Sequence, residues 1–326
     1  MTDVTRRQLL GGTLAAAAAA PALAQNAAAP PAPDLKGRSI LITGTSSGFG
    51  NLAALLFARS GAKVFATMRH LPRPEAEALQ KVARDERLDL TVLELDVTKP
   101  DEVARAVRAA ERLAGGGLDV VVNNAGIGLS GPVELQDEQA MAEMFDTNLH
   151  GPHRVARAAL PGMRSKKGGL LIQVSSQLGR VMVPNLGAYS ATKFALEALS
   201  EQMAYELAPR GIEVCIIQPG GYPTEIWASG ARRTRDLLAR TEDSRKAGYP
   251  ELMVNAVRTG GGSTDPLDVP RAMAEVIAMA PGTRPLRRAV HPGPRPQEAI
   301  NRVSAEVQRQ LLGRGPFAPW AEAVLG

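Results

Sequence analysis

Apolar and polar residues along this chain form short hydrophobic runs separated by stretches of mixed polarity. Six runs have the length and composition of buried β-strands. They span residues 39–43, 63–67, 91–95, 118–122, 169–174 and 212–217. The stretches between them predict helices, among them residues 74–87 and 101–113. This alternation predicts the α/β fold class, with a doubly wound parallel sheet of about seven strands and helices on both faces.

The pattern changes after the sixth run. Residues 221–265 are charged and without clear periodicity, so we expect an irregular insertion that forms a lid over the substrate. The elements predicted beyond it are a helix over 268–280, an edge strand over 286–291 and a helix over 297–312 within a C-terminal helical extension, 295–326. The 326 residues suffice for one large domain with a full core, which we expect to span residues 36–326.

The amino terminus has a different composition from the rest of the chain. Paired arginines, Arg6 and Arg7, precede an Ala-rich apolar run, and Ala22-Leu23-Ala24 offers the small residues that a signal peptidase recognises. This resembles a twin-arginine export signal over residues 1–24, followed by an Ala- and Pro-rich linker over 25–35. The expected localisation is periplasmic, and the alternative is an uncleaved tail on a cytoplasmic protein. The run is too short for a membrane span, so we expect no membrane contact beyond the export signal.

Composition and charge narrow the possible partners. The net charge is +5 with both signs interspersed, so no nucleic-acid partner is expected. Cys215 is the only cysteine, which excludes an intramolecular disulfide. His150 and His153 lack further ligands nearby, so no metal site is predicted. The partner expected is a small-molecule substrate, and a homo-oligomer is possible.

A glycine turn follows the first strand and opens a helix. Strand, glycine turn and helix in this order are typical of a Rossmann-type dinucleotide site, in which the glycines allow the backbone to approach a pyrophosphate. The helix N-terminus supplies N–H groups and a positive dipole. The cofactor-binding residues predicted here are Thr43, Gly44, Ser46, Ser47, Gly48, Phe49 and Gly50.

The end of the second strand indicates which dinucleotide binds. Sites that prefer NAD usually place an acid there, whereas this chain has Met68 and then Arg69. A guanidinium can pair with a 2′-phosphate, so NADP(H) is preferred over NAD(H), and a solvated Arg69 is the alternative. Asp96 and Val97 close the third strand, where a carboxylate could bond the adenine amino group.

Tyr189 and Lys193 stand four residues apart in a stretch with a helical stripe, so both side chains point the same way. A nearby cation favours the phenolate, and a tyrosine tuned in this way can exchange a proton with a carbonyl or an alcohol. The pair is the candidate catalytic centre.

Taken together, these motifs resemble the short-chain dehydrogenase/reductase family over roughly residues 36–292. The motifs are the glycine turn with Thr43, Asn123-Asn124-Ala125-Gly126, Asn148, Ser176 thirteen residues before Tyr189, Lys193, and Pro219-Gly220 with Thr224. The glycine spacing matches the single-domain branch rather than the extended branch of sugar epimerases. The segment 64–69 looks like the subgroup of steroid and retinoid reductases that use NADPH.

The resemblance implies a role for each residue. Tyr189 handles the proton on the substrate oxygen, Ser176 bonds that oxygen, and Lys193 lowers the Tyr189 pKa and bonds the nicotinamide ribose. Ser175 is the alternative to Ser176. Asn148, in a helix, helps to hold a water that relays protons, and Thr224 bonds the carboxamide. The further cofactor-binding residues implied are Asn123, Ala125, Gly126, Pro219 and Gly220.

The function expected is an NADP(H)-dependent oxidoreductase of CH–OH donors that interconverts an apolar ketone or aldehyde and its alcohol. A non-catalytic NADP-sensing module is the alternative. The residues expected beside the reacting carbon are mostly apolar: Leu178, Val181, Met182, Val183, Leu186 and Tyr222.

Overall fold

A seven-stranded parallel sheet forms the centre of the computed structural model, which describes residues 33–257 and 261–326. The strands are β1 (Ser39–Thr43), β2 (Lys63–Met68), β3 (Leu90–Glu94), β4 (Val120–Asn123), β5 (Gly169–Val174), β6 (Ile212–Pro219) and β7 (Arg287–Val290). Their order in the sheet is β3-β2-β1-β4-β5-β6-β7, and each neighbouring pair is parallel.

Helices connect the strands and continue to the carboxyl terminus. They are α1 (Gly48–Arg59), α2 (Pro74–Asp85), α3 (Pro100–Ala114), α4 (Glu138–Phe145), α5 (Gly151–Ser165), α6 (Gly187–Leu207), α7 (Glu225–Arg240), α8 (Asp243–Lys246), α9 (Pro250–Met253), α10 (Asp268–Ala278), α11 (Gln297–Leu312) and α12 (Ala318–Leu325). None of the helices in the described ranges has the length and apolar character needed to cross a membrane.

The inner strands β1, β2, β4, β5 and β6 contribute to two cores because successive side chains point to opposite faces of the sheet. In β1, Ile40 and Ile42 pack with Phe57 of α1 on one face. Leu41 packs with Val155 of α5 on the other face. Burial on both faces explains why these strands appear in the sequence as continuous apolar runs. The predicted α/β fold class, a doubly wound Rossmann-type parallel sheet, is confirmed.

The strand order reverses between β1 and β4, which lie side by side although α1, β2, α2, β3 and α3 separate them in the chain. In a doubly wound sheet this reversal opens a crevice at the carboxyl ends of the strands, where ligands bind. The glycine turn follows β1, and the Asn123-Asn124-Ala125-Gly126 motif ends β4. The topology therefore brings the two motifs to the same edge of the sheet.

The segment 221–265 is more regular than the sequence suggested. It contains α7, a helix of 16 residues, and the short helices α8 and α9. Gly230, Ala231, Thr234 and Leu237 form the buried stripe of α7. The prediction of an irregular insertion is therefore wrong, because small and polar residues make up most of this stripe and conceal its periodicity.

The structure also refines the predicted boundaries near both ends of the chain. The proposed signal peptide, residues 1–24, and most of the linker lie outside the described residues. Leu35, assigned to the linker, is 1% exposed and belongs to the core. At the other end, α11 spans Gln297–Leu312 as predicted, and α12 adds a helix within the predicted extension.

Candidate active site

Tyr189, Lys193 and Ser176 converge on one cavity at the carboxyl edge of the sheet. Tyr189 and Lys193 lie one turn apart near the start of α6. Ser176 follows β5, and its hydroxyl accepts a hydrogen bond from the N–H of Leu178 at 3.1 Å. The Ser176 side chain also interacts with the Tyr189 phenol and lowers its pKa. The Ser175 hydroxyl has no hydrogen-bond partner within the described residues, so the contact with Tyr189 favours Ser176 over Ser175.

The Lys193 ammonium forms a hydrogen bond with the backbone and lies over the Tyr189 ring. Its Nζ donates to the Val174 carbonyl at 2.8 Å and is 5.6 Å from the ring centroid. Burial lowers the pKa of Lys193 to about 8, although the Glu197 carboxylate opposes this change. Burial raises the pKa of Tyr189 to about 12, and the interaction with Ser176 offsets only part of this rise. Burial and Ser176 account for the Tyr189 pKa in this structure, so the lowering of that pKa by Lys193 stays a prediction.

Asn148 fastens α6 to the loop that follows β4. It lies in a short π-helical turn, Asp146–His150, between α4 and α5, rather than in a regular α-helix. Its Oδ1 accepts from the N–H of Ile127 at 2.8 Å, and its Nδ2 donates to the Ile127 carbonyl at 2.9 Å and to Thr192 Oγ1 at 3.1 Å. Asn148 is 1% exposed, so it supports the cavity from behind. Its role with a relay water stays a prediction; π-turns are frequent at functional sites.

The glycine turn after β1 forms a narrow cradle against the turn after β4. Gly44 has φ +71°, and a Cβ there would lie 2.8 Å from Cα of Ala125. A Cβ on Gly50 would lie 2.3 Å from the Gly44 carbonyl oxygen, so both positions require glycine. The residues of this turn that line the cavity are Gly44, Ser46, Ser47, Gly48 and Phe49. With the N-terminus of α1 beginning at Gly48, they fit the pyrophosphate of a dinucleotide.

Thr43, Gly50 and Asn123 were predicted to bind the cofactor but lie behind the cavity lining. Thr43 Oγ1 accepts from the N–H groups of Asn124 and Ala125, both at 3.0 Å. Asn123 is 2% exposed, and its amide has no hydrogen-bond partner within the described part of the chain. Asn124, which carried no predicted role, lines the cavity and donates to the Thr43 carbonyl at 2.9 Å. In a strand, neighbours face opposite sides, and the sequence motif alone could not choose between them.

Three predicted cofactor-binding residues and Met68 line the end of the cavity formed by β2 and β3. Met68 and Arg69 come at the end of β2, and Asp96 and Val97 follow β3. Burial opposes ionisation of Asp96, but hydrogen bonds from Thr98 and the charge of Arg69 hold its pKa below the usual value. This end therefore combines a carboxylate, suited to an amino group, with a guanidinium, suited to a phosphate.

Pro219, Gly220 and Thr224 line the opposite end, after β6, together with Gly126 and Ala125. A Cβ on Gly220 would lie 2.6 Å from the ring of His291, so the backbone passes close to β7 here. The cavity has a volume of about 760 Å³ and joins both ends.

Only some of the residues that were predicted to contact the substrate line the cavity. Leu178, Val183, Leu186 and Tyr222 line the cavity. Val181 lies outside the lining and Met182 is 67% exposed. The sequence missed a second wall, contributed by α7, whose lining residues include Ile226, Trp227, Ser229, Gly230, Arg232 and Arg233. The spacing of 226, 229, 230 and 233 is a helical face that could have revealed it.

Metal binding and cysteine chemistry have little support in the described residues. Within the described ranges, residues 33–257 and 261–326, no group of three or more His, Cys, Asp or Glu side chains is placed to hold a metal ion. Cys215 lies buried in β6, and burial raises the pKa of its thiol to about 12. A thiol of this kind is unreactive.

Comparison with known proteins agrees with this geometry. Residues 38–234 match the family model described as short chain dehydrogenase. A 3-ketodihydrosphingosine reductase of Bacteroides thetaiotaomicron is 37% identical over 206 residues, which cover 63% of this chain and 70% of that protein. A short-chain dehydrogenase of Streptomyces avermitilis superposes with a TM-score of 0.67 at 28% identity, covering 86% of this chain and 99% of that one. A gluconate 5-dehydrogenase of Burkholderia cenocepacia, solved in complex with NADP and tartrate, has a TM-score of 0.55 at 30% identity over 59% of this chain and 74% of its own.

Proposed function

The chain belongs to the short-chain dehydrogenase/reductase family, and from that premise we propose that it is an NADP(H)-dependent enzyme interconverting an apolar ketone or aldehyde and its alcohol. Family membership makes it an oxidoreductase that acts on alcohols and carbonyl compounds by hydride transfer. The observation that carries the proposal is the convergence of Tyr189, Ser176 and Lys193 on the cavity that holds the glycine cradle. Nothing in this site favours the alternative of a non-catalytic sensor, since Tyr189 and Lys193 are both present.

Tyr189 exchanges the proton with the substrate oxygen. Its pKa of about 12 keeps the phenol protonated at neutral pH, which suits donation to a carbonyl oxygen. Ser176, which interacts with that phenol, stabilises the negative charge that develops on the same oxygen. Lys193, protonated below about pH 8, adds positive charge beside the Tyr189 ring. The nicotinamide, when bound, supplies or accepts the hydride.

The end of β2 supports the preference for NADP(H). Met68 stands where sites selective for NAD usually place an acid, so a 2′-phosphate meets no repelling carboxylate at that position. Arg69 follows it and lines the cavity. The Burkholderia neighbour, 30% identical, is described in complex with NADP.

The cavity wall supports an apolar substrate. Leu178, Val183, Leu186, Ile226 and Trp227 contribute apolar surface to the lining. The Bacteroides relative is named as a reductase of 3-ketodihydrosphingosine. An apolar wall excludes water from the alkyl groups of the substrate. The substrate oxygen then interacts with Tyr189 and Ser176 rather than with water.

A substrate panel tests the function. We expect the purified protein to consume NADPH in the presence of apolar ketones or aldehydes, followed by the absorbance of the reduced nicotinamide. Tyr189→Phe removes the proton donor but keeps the ring, so turnover falls by at least ~100-fold while NADPH still binds. Tyr205→Phe makes the same change on α6 outside the cavity and retains turnover. NADPH binding without consumption across the panel would instead identify a sensor, and normal turnover of Tyr189→Phe would refute the assigned site.

The sequence alone supports export. Arg6, Arg7 and the cleavage motif at Ala22–Ala24 lie outside the described residues, and we propose that they direct the folded protein to the periplasm by the twin-arginine route. A cytoplasmic protein with an uncleaved tail is the alternative, and fractionation followed by amino-terminal sequencing separates the two.

A further inference from the structure

Arg233 of α7 is a half-buried cation in the wall of the cavity. It lines both the main cavity and a smaller neighbouring one of about 290 Å³. Its guanidinium donates to the Ser229 carbonyl of its own helix at 3.2 Å. Within the described residues it has no carboxylate at ion-pair distance. Glu143 and Asp236 line the smaller cavity beside Arg233 but form no ion pair with it, so an anion from outside the chain would complete the compensation of its charge.

A second cation lines the same cavity. Arg69 follows β2, and it too has no carboxylate at ion-pair distance in the part of the chain that the structure describes. Burial lowers the pKa of Arg233, and the charge of Arg69 lowers it further, while Glu143 and Asp236 oppose the change. Two cations that repel each other across a cavity are both stabilised by an anion between them.

The position of Arg69 indicates which anion this is. Arg69 lies at the end formed by β2 and β3, and its charge also lowers the pKa of Asp96. This is the adenosine end of the site, away from the proton-transferring Tyr189. Arginine pairs well with phosphate because its planar guanidinium offers two parallel N–H donors. The anion that fits is therefore a phosphate on the adenosine ribose rather than an acidic group of the substrate.

We propose that Arg233 of α7 reads the 2′-phosphate of NADP together with Arg69, which lines the same cavity. This inference rests on the proposed preference for NADP(H). It adds a specificity-determining residue on α7, an element that the sequence motifs for cofactor binding do not include.

The helix that carries Arg233 is held in place independently of the cofactor. Thr234 Oγ1 accepts from the N–H of Ser130 at 3.0 Å, and Arg240 pairs with Asp137 at 2.6 Å. These two contacts fix the position of α7 beside the cavity. A phosphate bound by Arg233 adds a further connection between α7 and the sheet edge, so release of NADP requires it to break.

Two adenosine fragments isolate the phosphate contact. Adenosine 2′,5′-bisphosphate and adenosine 5′-monophosphate differ by the 2′-phosphate and lack the nicotinamide, and calorimetry gives the affinity of each. We expect Arg233→Gln to weaken bisphosphate binding by about tenfold or more, the range for a charge-assisted hydrogen bond, and to change monophosphate binding little. Arg235→Gln removes an exposed charge from the same helix and is the matched control, with both affinities as in the wild type.

Three further variants keep the test decisive. Arg233→Lys retains the charge and should keep most of the bisphosphate affinity. Arg233→Met keeps an unbranched stem without the charge, and it replaces Arg233→Gln if that variant fails to fold by circular dichroism. In the double variant Arg69→Gln with Arg233→Gln, the losses should be less than additive because both residues bind one group.

Each outcome bears on a different claim. If the wild type binds both fragments equally, the proposed cofactor preference fails, and this inference fails with it. If the wild type prefers the bisphosphate and Arg233→Gln retains that preference, the inference alone is overturned. Equal weakening of both fragments by Arg233→Gln would also overturn it, since the residue would then act on the fold or on the field of the whole site.

Discussion

At the scale of single residues, Lys193 is the member of the candidate catalytic centre whose charge changes near neutral pH. Its pKa of about 8 means that the ammonium is present below that pH and is lost above it. Because this charge lies beside the Tyr189 ring, we expect kcat/KM for carbonyl reduction to fall as pH rises through about 8. A pH profile at saturating NADPH measures this.

A pair of variants assigns the titration to Lys193. Glu197 opposes the lowering of the Lys193 pKa, so Glu197→Gln should move the falling limb of the profile to lower pH. Glu206→Gln removes an exposed carboxylate from the same helix and should leave the limb in place. A limb that stays fixed, or moves upward, in Glu197→Gln would contradict the assignment.

Substitution of Arg69 tests the proposed preference for NADP over NAD directly. Arg69→Gln should weaken NADP binding by about 1.5–3 kcal/mol and leave NAD binding nearly unchanged, since only NADP carries the 2′-phosphate. Arg73→Gln is a matched control, because Arg73 also lines the cavity but is already paired with Glu75 at 2.8 Å. Titrations with both dinucleotides decide the matter, and equal wild-type affinities for NAD and NADP would refute the preference. Met68 is unsuitable for this test because it is 1% exposed in the core.

These residues also show where sequence reasoning about the site succeeded and where it could not. The spacing of Tyr189 and Lys193 predicted a shared helical face, because helix geometry is local. The pKa directions were not predictable, because desolvation depends on what the whole fold packs around a group. The sequence also did not reveal that Asn124 rather than Asn123 lines the cavity, because the motif alone does not show which of two neighbours faces it.

At the scale of elements, a buried ionic network joins α6 to β6, β7 and α11. Arg287 of β7 donates to Glu197 at 2.8 Å and to Glu201 at 2.6 Å. Gln218 of β6 donates to Glu197 at 2.9 Å and accepts from Asn301 of α11 at 2.7 Å. The network therefore fixes the helix that carries the catalytic pair to the edge of the sheet.

Removing the cation from this network should be strongly destabilising. Arg287→Leu leaves two buried carboxylates without their partner, and we expect a loss of about 3–5 kcal/mol in the free energy of unfolding. Arg288→Leu is the control from the same strand, since the pair of Arg288 with Glu275 is about half exposed and is worth at most about 1 kcal/mol. Urea unfolding of both variants measures the difference. Equal losses would show that the buried network adds no more stability than a surface pair.

Helix α7 illustrates the limit of sequence analysis at this scale. The inner strands were predictable because each is an apolar run buried on both faces. In α7 the buried stripe consists of Gly230, Ala231, Thr234 and Leu237, which are mostly small or polar. The packing partner of α7 includes the loop at Ser130, separated from Thr234 by 104 positions, and such contacts leave little signal in a local window.

At the scale of the whole molecule, the order of the strands gives the site its form. The strand order reverses between β1 and β4, and the two turns that follow these strands form the cradle. Alternating strands and helices predicted a parallel sheet with its ligand at the carboxyl edge. The way in which α7 closes one side of that edge depends on long-range contacts, so the structure was needed to find the wall formed by α7 and its arginines.

A dinucleotide site combined with the proposed export signal leads to the last prediction. A periplasm holds little free NADP, whereas the twin-arginine route carries folded proteins, so we expect the cofactor to be bound before export. A ligand at ~1,000 times its dissociation constant stabilises the folded state by about 4 kcal/mol, which favours an export-competent form. Protein purified from periplasmic extract and then denatured should release roughly one NADP per chain. Replacing Arg6 and Arg7 by lysine should keep the loaded protein in the cytoplasm with Met1 intact. An exported protein with an empty, rapidly exchanging site, or a wild-type protein found only in the cytoplasm, would refute loading before export.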